Sequence, residues 1–301
     1  MPYLTHLDLF SGIGSARKAM LQSSISPITL ARYEISEKAD IFYRKIWNTD
    51  KSQNRGDVME QDYSEWEDVD IMTAGFECQP FSRMGSKKGV NDPRFTVGWV
   101  GISRALKQAK PKYFLLENVV GFPVDDFVTD FDELGYTIKW YVDCPHNYGA
   151  TQTRKRLYIL GTRKGLTEWT DKSHKVTNDE LHRVTLCIDQ FKPQKKPNPT
   201  DFYKINPKRV EKVFDPKIGK VGCITKMGHD SHCRRMTWIK YNGGFRGYTL
   251  EELFVLFGWR EYNVFPLEKR GLSKSAMYMG FGNSWHVGHA SIYFSTLPSI
   301  R

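Results

Sequence analysis

The sequence predicts an α/β protein with a doubly wound, mostly parallel β-sheet and a smaller domain that is rich in loops. Through the first 161 residues, short apolar runs alternate with amphipathic stretches, as strands alternate with helices in such folds. The early apolar runs pass into glycine, proline or polar residues before the next helix-like stretch. After Gly161 the composition changes, because residues 190–216 hold five prolines and many lysines with no clear period.

Five apolar runs are the predicted strands of the sheet. In chain order they are THLDLF, a run within ISPITLARYEI, VDIMTAG, KYFLLENV and RKRLYILGT. The stretch VGWVGISRALKQAK has the spacing of a helix, and helical spacing returns in TLEELFVLFGW. No internal repeat is evident.

The positive charge is concentrated in one segment. The net charge is +10, and residues 162–245 hold 18 Lys and Arg against 9 Asp and Glu, which leaves +1 for the other residues. A polyanion such as nucleic acid is the natural partner of a basic surface, because neutralising phosphates releases counterions. The alternative is a solvated basic face without a partner.

The sequence favours an intracellular protein with no membrane partner. It contains no apolar run long enough for a membrane span, and its first residues lack the features of a signal peptide. Its five cysteines are irregularly spaced, which is typical of reduced thiols rather than of a disulfide framework.

The first strand leads into a turn with the pattern Gly-x-Gly, at Gly12 and Gly14. Ligands of open α/β sheets bind beyond the carboxyl ends of the strands, where glycines allow close approach to the backbone. Glu34, after the second strand, is a candidate to bind ribose hydroxyls, and Asp57 is a candidate to accept from an adenine amino group. An ordinary turn with two surface carboxylates is the alternative.

A cysteine follows the third predicted strand, in GFECQPFS. A single cysteine is more often a small core residue than a functional one. Cys78, however, lies on the ligand-binding side of the sheet, where Glu117 ends the next strand and the arginines of QTRKR begin a later one. A thiol, a carboxyl group and paired arginines would then share one sheet edge.

These motifs resemble those of the cytosine-C5 DNA methyltransferases, in the order found in that family. DLFSGIG is similar to the cofactor motif, GFECQPFS to the catalytic loop, GVNDPRF to the mobile active-site loop, ENV to the cytosine-holding motif and QTRKR to the Gln-x-Arg-x-Arg motif. RGYTLEELFVLFGW and GFGNSWHV are similar to the two closing motifs. The resemblance implies a Rossmann-like catalytic and cofactor-binding domain at 1–161, a target recognition domain at 162–245 and a return segment at 246–301.

The resemblance also implies the chemistry. Cys78 would attack C6 of a cytosine flipped out of double-stranded DNA, because a thiolate is nucleophilic near neutral pH. Glu117 would hold the N3 and amino edge of the base, Arg156 would bind its O2, and Arg154 would support the catalytic loop. The methyl donor would be S-adenosylmethionine, with S-adenosylhomocysteine as the product and no metal.

Further site residues follow from the same motifs. Residues 81–99 would form a loop that closes over the site. The predicted cofactor-binding residues are Phe10, Gly12, Ile13, Gly14, Glu34, Ile35, Asp57, Val58, Pro80, Asn283 and Ser284, and the predicted DNA-binding residues are Ser82, Arg94, Thr225, Arg234 and Arg235. We expect a monomer, in a bacterial or phage-infected cell, that has a cognate restriction endonuclease as a possible partner.

Three alternatives remain open from the sequence. A tRNA cytosine-C5 methyltransferase shares the catalytic motifs, and a catalytically silent homologue would bind nucleic acid without reaction. CITKMGHDSHC also offers Cys223, His229, His232 and Cys233 to a zinc ion, although zinc ligands usually come as two separated pairs. The target DNA sequence does not follow from the chain.

One residue departs from the family pattern, because Glu77 stands where the family has proline before the nucleophile. A carboxylate that pointed at the thiol would disfavour the thiolate. Adjacent side chains of an extended segment face opposite ways, so we expect Glu77 to point away. Glu77→Pro and Glu77→Gln should therefore stay active.

Overall fold

The structure is a computed structural model that describes residues 2–76, 89, 92–171, 213–214, 221–224, 238–241, 244–246, 248, 250–259 and 273–299. Its main feature is a six-stranded sheet with the strand order β2-β1-β3-β4-β6-β5. The strands are Tyr3–Leu9 (β1), Ser26–Tyr33 (β2), Ile71–Gly75 (β3), Tyr113–Asn118 (β4), Tyr136–Asp143 (β5) and Arg156–Arg163 (β6).

The sheet is mostly parallel. β1 pairs in parallel with both β2 and β3, and β3 pairs in parallel with β4. β6 lies antiparallel to β4 on one side and to β5 on the other, so it alone of the six strands runs in the opposite direction. The predicted fold class and all five predicted strands are confirmed.

The sequence analysis missed β5, which forms one edge of the sheet. Along β5, buried residues stand only at the two ends, Tyr136 and Asp143, and the residues between them are half-buried or exposed. An edge strand of this kind lacks the continuous apolar run that marks a central strand such as β4, in which every residue is buried.

Helices surround the sheet. Ser36 caps the second helix by accepting a hydrogen bond from the backbone N–H of Ala39, and Ser273 caps the sixth by accepting from that of Ala276. The helices are Ser15–Gln22 (α1), Glu37–Trp47 (α2), Pro93–Ala109 (α3), Val128–Glu133 (α4), Leu250–Leu256 (α5), Lys274–Gly282 (α6) and Val287–Phe294 (α7), with short 3-10 turns at Lys51–Gln53, Ser64–Trp66, Val124–Phe127 and Pro145–Tyr148.

The third helix begins earlier than the sequence suggested. The predicted helical stretch starts at Val97, whereas α3 starts at Pro93. Residues 93–99 are therefore helical, and their assignment to the closing loop is wrong. Gly98 packs against Phe76, which places this first part of α3 against the end of β3.

Apolar side chains cover both faces of the sheet. Along β4, Tyr113 and Leu115 belong to a core that includes apolar residues of α1 and α5–α7. Phe114 and Leu116 belong to a second core, which includes residues of α3 and α4. Because successive strand residues face opposite ways, this division shows helical layers on both sides, as a doubly wound fold requires.

The described part of the segment 162–245 includes a second, smaller sheet. It consists of Val213–Phe214 (β7), Trp238–Tyr241 (β8) and Gly244–Arg246 (β9), in that order. The large sheet itself continues past residue 161, since the indole N–H of Trp169 donates to the carbonyl of Gly161 (2.9 Å) and the backbone N–H of Thr170 donates to Thr296 (3.0 Å).

None of the helices within the described ranges has the length and apolar character needed to cross a membrane.

Candidate active site

The candidate site lies at the edge of the sheet where β1, β3 and β4 end. Gly75, the last residue of β3, pairs with Glu117, and Asn118 at the end of β4 pairs with Leu157 near the start of β6. The reversed direction of β6 is what brings its first residue, Arg156, to this edge. A parallel strand in the same place would have put Arg156 at the opposite edge.

A cleft opens beside the turn that follows β1, and we call it the β1 cleft. Its empty volume is about 290 Å³. The side-chain oxygens Asp8 Oδ2, Ser11 Oγ and Ser15 Oγ are buried and have no hydrogen-bond partner within the described structure. Buried polar atoms are rarely left unpaired, so these atoms fit a polar ligand. The lining residues are Asp8, Phe10, Ser11, Gly12, Ile13, Ser15, Ala16, Gly75, Asn283, Ser284 and Trp285.

The two glycines of the turn have different roles. Both have positive φ, +53° at Gly12 and +81° at Gly14. A Cβ on Gly12 would meet nothing closer than the carbonyl of Phe10 at 3.9 Å, so the space above Gly12 is open. A Cβ on Gly14 would come within 2.1 Å of the indole nitrogen of Trp47. Gly12 therefore provides close approach for a ligand, whereas Gly14 makes room for a side chain of the protein.

The carboxyl group of Glu34 is fixed to the same turn. One oxygen accepts from the backbone N–H of Gly12 (2.9 Å) and the other from that of Ser36 (2.8 Å). Burial raises the pKa of Glu34, while these two backbone hydrogen bonds oppose the rise. Each oxygen keeps a second lone pair, so Glu34 can still accept from a ligand beside Gly12.

The other predicted residues on this side do not line the cleft. The carboxyl group of Asp57 accepts from the backbone N–H of Met59 (2.9 Å). Val58 is buried in the core, and Ile35 is 77% exposed. An exposed isoleucine next to Glu34 offers an apolar surface to a planar ligand, but its role stays a prediction.

Asp8 is part of a buried chain of polar side chains. The imidazole of His6 contacts the Thr73 hydroxyl (2.8 Å), which donates to the carboxyl group of Asp8 (2.8 Å). Burial raises the pKa of Asp8 to about 7, although the hydrogen bond from Thr73 opposes the shift. Burial also lowers the pKa of His6 to about 3, so His6 is neutral at physiological pH.

A second group of functional side chains lies where β4 meets β6, and we call it the arginine cluster. It consists of Glu117, Arg154, Arg156 and Cys223. Arg156 Nε lies 3.0 Å from Glu117 Oε1. The thiol of Cys223 lies 3.5 Å from Arg154 Nη1 and 3.8 Å from Arg156 Nη2. The predicted carboxyl group and paired arginines are thus in one cluster.

Arg154 joins three segments of the chain from within this cluster. Its guanidinium group is buried and donates to the carbonyls of Ile224 (3.1 Å), Gly282 (3.2 Å) and Ser284 (2.8 Å). Residues 282 and 284 flank Asn283 of the β1 cleft, so Arg154 connects the arginine cluster to that cleft. Its contacts are those of a supporting residue.

Burial raises the pKa of Glu117, while the charges of Arg156 and Arg154 oppose the rise. Tyr158 pairs with Glu117 across β4 and β6, and its hydroxyl oxygen is buried without a hydrogen-bond partner in the described structure. Burial, followed by the charge of Glu117, raises the pKa of Tyr158 well above its ordinary value, so Tyr158 is neutral.

Several predicted site residues lie outside the described residues. They are Cys78, Pro80, Ser82, Thr225, Arg234 and Arg235, together with Glu77. The backbone of Arg94 is part of α3. The roles predicted for these residues stay predictions.

The structure adds residues that the sequence analysis did not assign. Asp8, Ser11, Ser15 and Trp285 line the β1 cleft. The first three lie in the quoted stretch DLFSGIGS, so the alternation of the strand and the spacing of the first helical turn could have indicated them. Cys223 was considered only as a zinc ligand, and no local signal connects it with β6.

The described residues contain no group of three or more histidines, cysteines or acidic residues that could hold a metal ion. Cys223 contacts arginines. The other three residues of the zinc alternative, His229, His232 and Cys233, lie outside the described ranges.

Comparison with known protein families and curated proteins gives the following matches. The family described as C-5 cytosine-specific DNA methylase matches residues 4–217. The Type II methyltransferase M1.ScrFI of Lactococcus lactis subsp. cremoris is 30% identical over 253 residues, which is 81% of this chain and 57% of that protein. M.BanI of Aneurinibacillus aneurinilyticus is 30% identical over 257 residues, 79% of this chain and 56% of that protein. The chain thus spans little more than half the length of these relatives.

Solved structures of similar fold match over almost the whole chain. The Dnmt2 methyltransferase of S. pombe aligns with a TM-score of 0.72 at 20% identity and covers 97% of both chains. The methyltransferase EhMeth of Entamoeba histolytica aligns with a TM-score of 0.77 at 18% identity and covers 96% of both. At these identities the likeness concerns the Rossmann-like fold alone.

Proposed function

Because this chain belongs to the C-5 cytosine-specific DNA methylase family, we propose that it transfers a methyl group from S-adenosylmethionine to C5 of a cytosine turned out of double-stranded DNA. The observation that carries the proposal is the buried Glu117–Arg156 pair, 3.0 Å apart at the edge of the sheet. A carboxyl group and a guanidinium group side by side match the N3, amino and O2 edge of cytosine.

The base is activated by the arginine cluster. Glu117 holds N3 and the amino group, and it carries a proton while negative charge develops in the ring. Burial favours that protonated form, in agreement with the raised pKa of Glu117. Arg156 donates to O2 and stabilises the same charge from the other side.

Cys78 is the proposed nucleophile. Its thiolate attacks C6, which makes C5 nucleophilic, and it leaves after C5 has gained the methyl group and lost its proton. Cys78 is two residues beyond Phe76, which follows β3 at the edge that carries Glu117. This position supports the role that the family resemblance gives it.

The β1 cleft is the proposed cofactor site. S-adenosylmethionine, when bound, supplies a methyl group on a positively charged sulfur. Asp8, Ser11 and Ser15 offer unpaired buried oxygens to its polar groups, and Gly12 leaves its backbone open. Glu34 would bind the ribose hydroxyls and Asp57 the adenine amino group. Phe10, Asn283 and Ser284 would line the part of the cleft that faces the base.

Residues 162–245 are the proposed DNA-reading domain, and their charge of +9 supports this. Replacing both Arg234 and Arg235 by alanine should reduce the slope of log Kd against log salt by about 2, because two phosphate contacts are lost. Cofactor affinity should not change. Equal DNA affinity of wild type and variant at every salt concentration would contradict the assignment of these two residues.

A tRNA substrate remains the second candidate, since the arginine cluster faces only the edge of a cytosine, which DNA and RNA share. Labelled S-adenosylmethionine should be incubated with the full chain and duplex DNA, single-stranded DNA or tRNA, and the product base identified by mass spectrometry. We expect 5-methylcytosine in duplex DNA, about a thousandfold less with Cys78→Ser, and near wild-type transfer with the control Cys144→Ser. Transfer to tRNA alone, or full activity of Cys78→Ser, would overturn the proposal.

A further inference from the structure

The thiol of Cys223 lies among charged groups of the arginine cluster, although Cys223 is nearly 70 residues from both arginines along the chain. Backbone hydrogen bonds hold its segment in place. Thr153 N–H donates to the carbonyl of Val221 (2.8 Å), and Val221 N–H donates to that of Thr151 (2.9 Å). Residues 221–224 therefore lie alongside the residues that precede β6, and the position of the thiol does not depend on its own contacts.

Arg156 is shared between two acidic groups. Its Nε faces Glu117 Oε1 at 3.0 Å, and its Nη2 faces Cys223 Sγ at 3.8 Å. Arg154 adds a second guanidinium group, with Nη1 3.5 Å from the same sulfur. The cluster thus holds two fixed positive charges and two groups that can each lose a proton.

Other titratable groups near the cluster leave this balance intact. Tyr158, on β6 opposite Glu117, is neutral, since its pKa is raised well above the ordinary value. Asp143 lies opposite Arg156 on β5, and its carboxyl group accepts from the Tyr148 hydroxyl, from Asn147 (3.1 Å) and from the backbone N–H of Cys144 (2.8 Å). Asp143 is therefore held by its own neighbours.

The proposed chemistry sets a conflicting demand on Glu117. Two adjacent guanidinium groups favour the carboxylate form, yet Glu117 must hold a proton at N3 of the base. A second anion beside the same arginines removes the conflict, because it neutralises charge that would otherwise draw the proton off Glu117. Burial would raise the pKa of the Cys223 thiol, but the charges of Arg154 and Arg156 outweigh burial and lower it.

We propose that Cys223 is a positioning residue for methyl transfer: as a thiolate it takes up the charge of Arg154 and Arg156 and so allows Glu117 to hold a proton at the base. One proton is shared between Cys223 Sγ and the Glu117 carboxyl group, and its movement from sulfur to oxygen leaves the net charge of the cluster unchanged. No covalent bond to Cys223 is formed. The role at the base rests on the proposed function, whereas the shared proton rests on the geometry of the cluster.

The activity test compares pH profiles of kcat. In Cys223→Ser and Cys223→Ala the carboxyl group of Glu117 should lose its proton at lower pH, which moves the basic limb of the profile to lower pH by about one unit and lowers kcat at pH 8 about tenfold. Cys223→Asp restores a negative charge and should return the limb to its wild-type position, with KM for the cofactor unchanged in all variants. A purely structural role would lower kcat by one factor at every pH and would not be rescued by aspartate.

A second test needs no activity and remains decisive if Cys223→Ser does not fold. The full chain, without cofactor or DNA, is alkylated with iodoacetamide between pH 5 and 10, and each cysteine is followed by peptide mass spectrometry, with Cys144 as the internal reference. The midpoint for Cys223 should lie below that of a free thiol, about 8.5, and should fall by a further half unit or more in Glu117→Gln.

The two proposals can fail separately in these experiments. An identical Cys223 midpoint in wild type and Glu117→Gln would overturn the shared proton, whatever the enzyme methylates. Full activity of Cys78→Ser would overturn the proposed function and leave the alkylation result standing. Superimposable pH profiles of wild type and Cys223→Ser would overturn the positioning role.

Discussion

The β1 cleft and the arginine cluster lie at the same edge of one sheet but are built in different ways. The cleft is formed mainly by a single strand and the turn and helix that follow it, from Asp8 to Ala16, and the later residues 283–285 complete it. The arginine cluster takes Glu117 from β4, the arginines from the start of a reversed strand and Cys223 from a distant segment. Local sequence thus specifies most of the cleft, whereas chain topology specifies the cluster.

The largest expected effect separates the two regions by function. Glu117→Gln keeps the shape of the side chain but cannot deliver a proton to the base, so kcat should fall about a thousandfold. Cofactor affinity, measured by calorimetry, should stay within about twofold of wild type, because Glu117 is not part of the β1 cleft. An equal loss of cofactor binding would show that the two regions are not independent.

The next effect tests Arg154, which contacts both regions, against Arg156 as the matched control. Arg154→Met leaves three carbonyls, of Ile224, Gly282 and Ser284, without their donor. We expect the free energy of unfolding to fall by about 3 kcal/mol and cofactor affinity to fall with it. Arg156→Met should lose activity with a much smaller loss of stability. Denaturant unfolding of both variants would contradict the distinction if their midpoints were equal.

A smaller effect distinguishes the two glycines of the turn. Alanine at either position is strained, since both have positive φ. Only Gly14→Ala also collides with Trp47, so it should cost about 2 kcal/mol more stability than Gly12→Ala. Gly12→Ala should instead fold well and weaken cofactor binding. Thermal unfolding and calorimetry on the pair give both quantities, and the opposite order of stabilities would refute the assignment.

The smallest effect concerns the pH dependence of stability through Asp8. Its pKa is about 7 in the folded protein, above the ordinary 3.8, so the fold favours the protonated form. That contribution to stability is complete below pH 4 and is lost as pH rises to 7, by at most about 1.4 kcal/mol per pH unit. Asp8→Asn should not show this loss. Parallel stability curves of wild type and Asp8→Asn from pH 4 to 7 would show that Asp8 ionises normally.

Much of the fold was predictable from the sequence because central strands are continuous apolar runs. The five such runs are all strands, whereas the edge strand β5 was missed because its exposed residues give no such pattern. The predicted closing loop extended too far, since the Pro at 93 begins a helix rather than ending a loop. Proline at the first position of a helix is a signal that the sequence does carry.

The candidate site was predictable where its residues are close in sequence. Phe10, Gly12 and Ile13 line the cleft as the motif implied. Gly14 does not, because its missing side chain is explained by Trp47, 33 residues later. Cys223 could not have been placed from sequence, since its position depends on backbone hydrogen bonds to residues 151–153.

The most direct test of the central claim, that Cys78 attacks a cytosine held by the arginine cluster, is covalent trapping. Duplex DNA of mixed sequence, synthesised with 5-fluorocytosine in place of cytosine, is incubated with the protein and saturating S-adenosylmethionine. Fluorine cannot leave as a proton does, so we expect a denaturation-resistant protein–DNA adduct that peptide mass spectrometry maps to Cys78 and that Cys78→Ser does not form. Absence of an adduct from protein that binds the cofactor and methylates ordinary DNA would contradict the account.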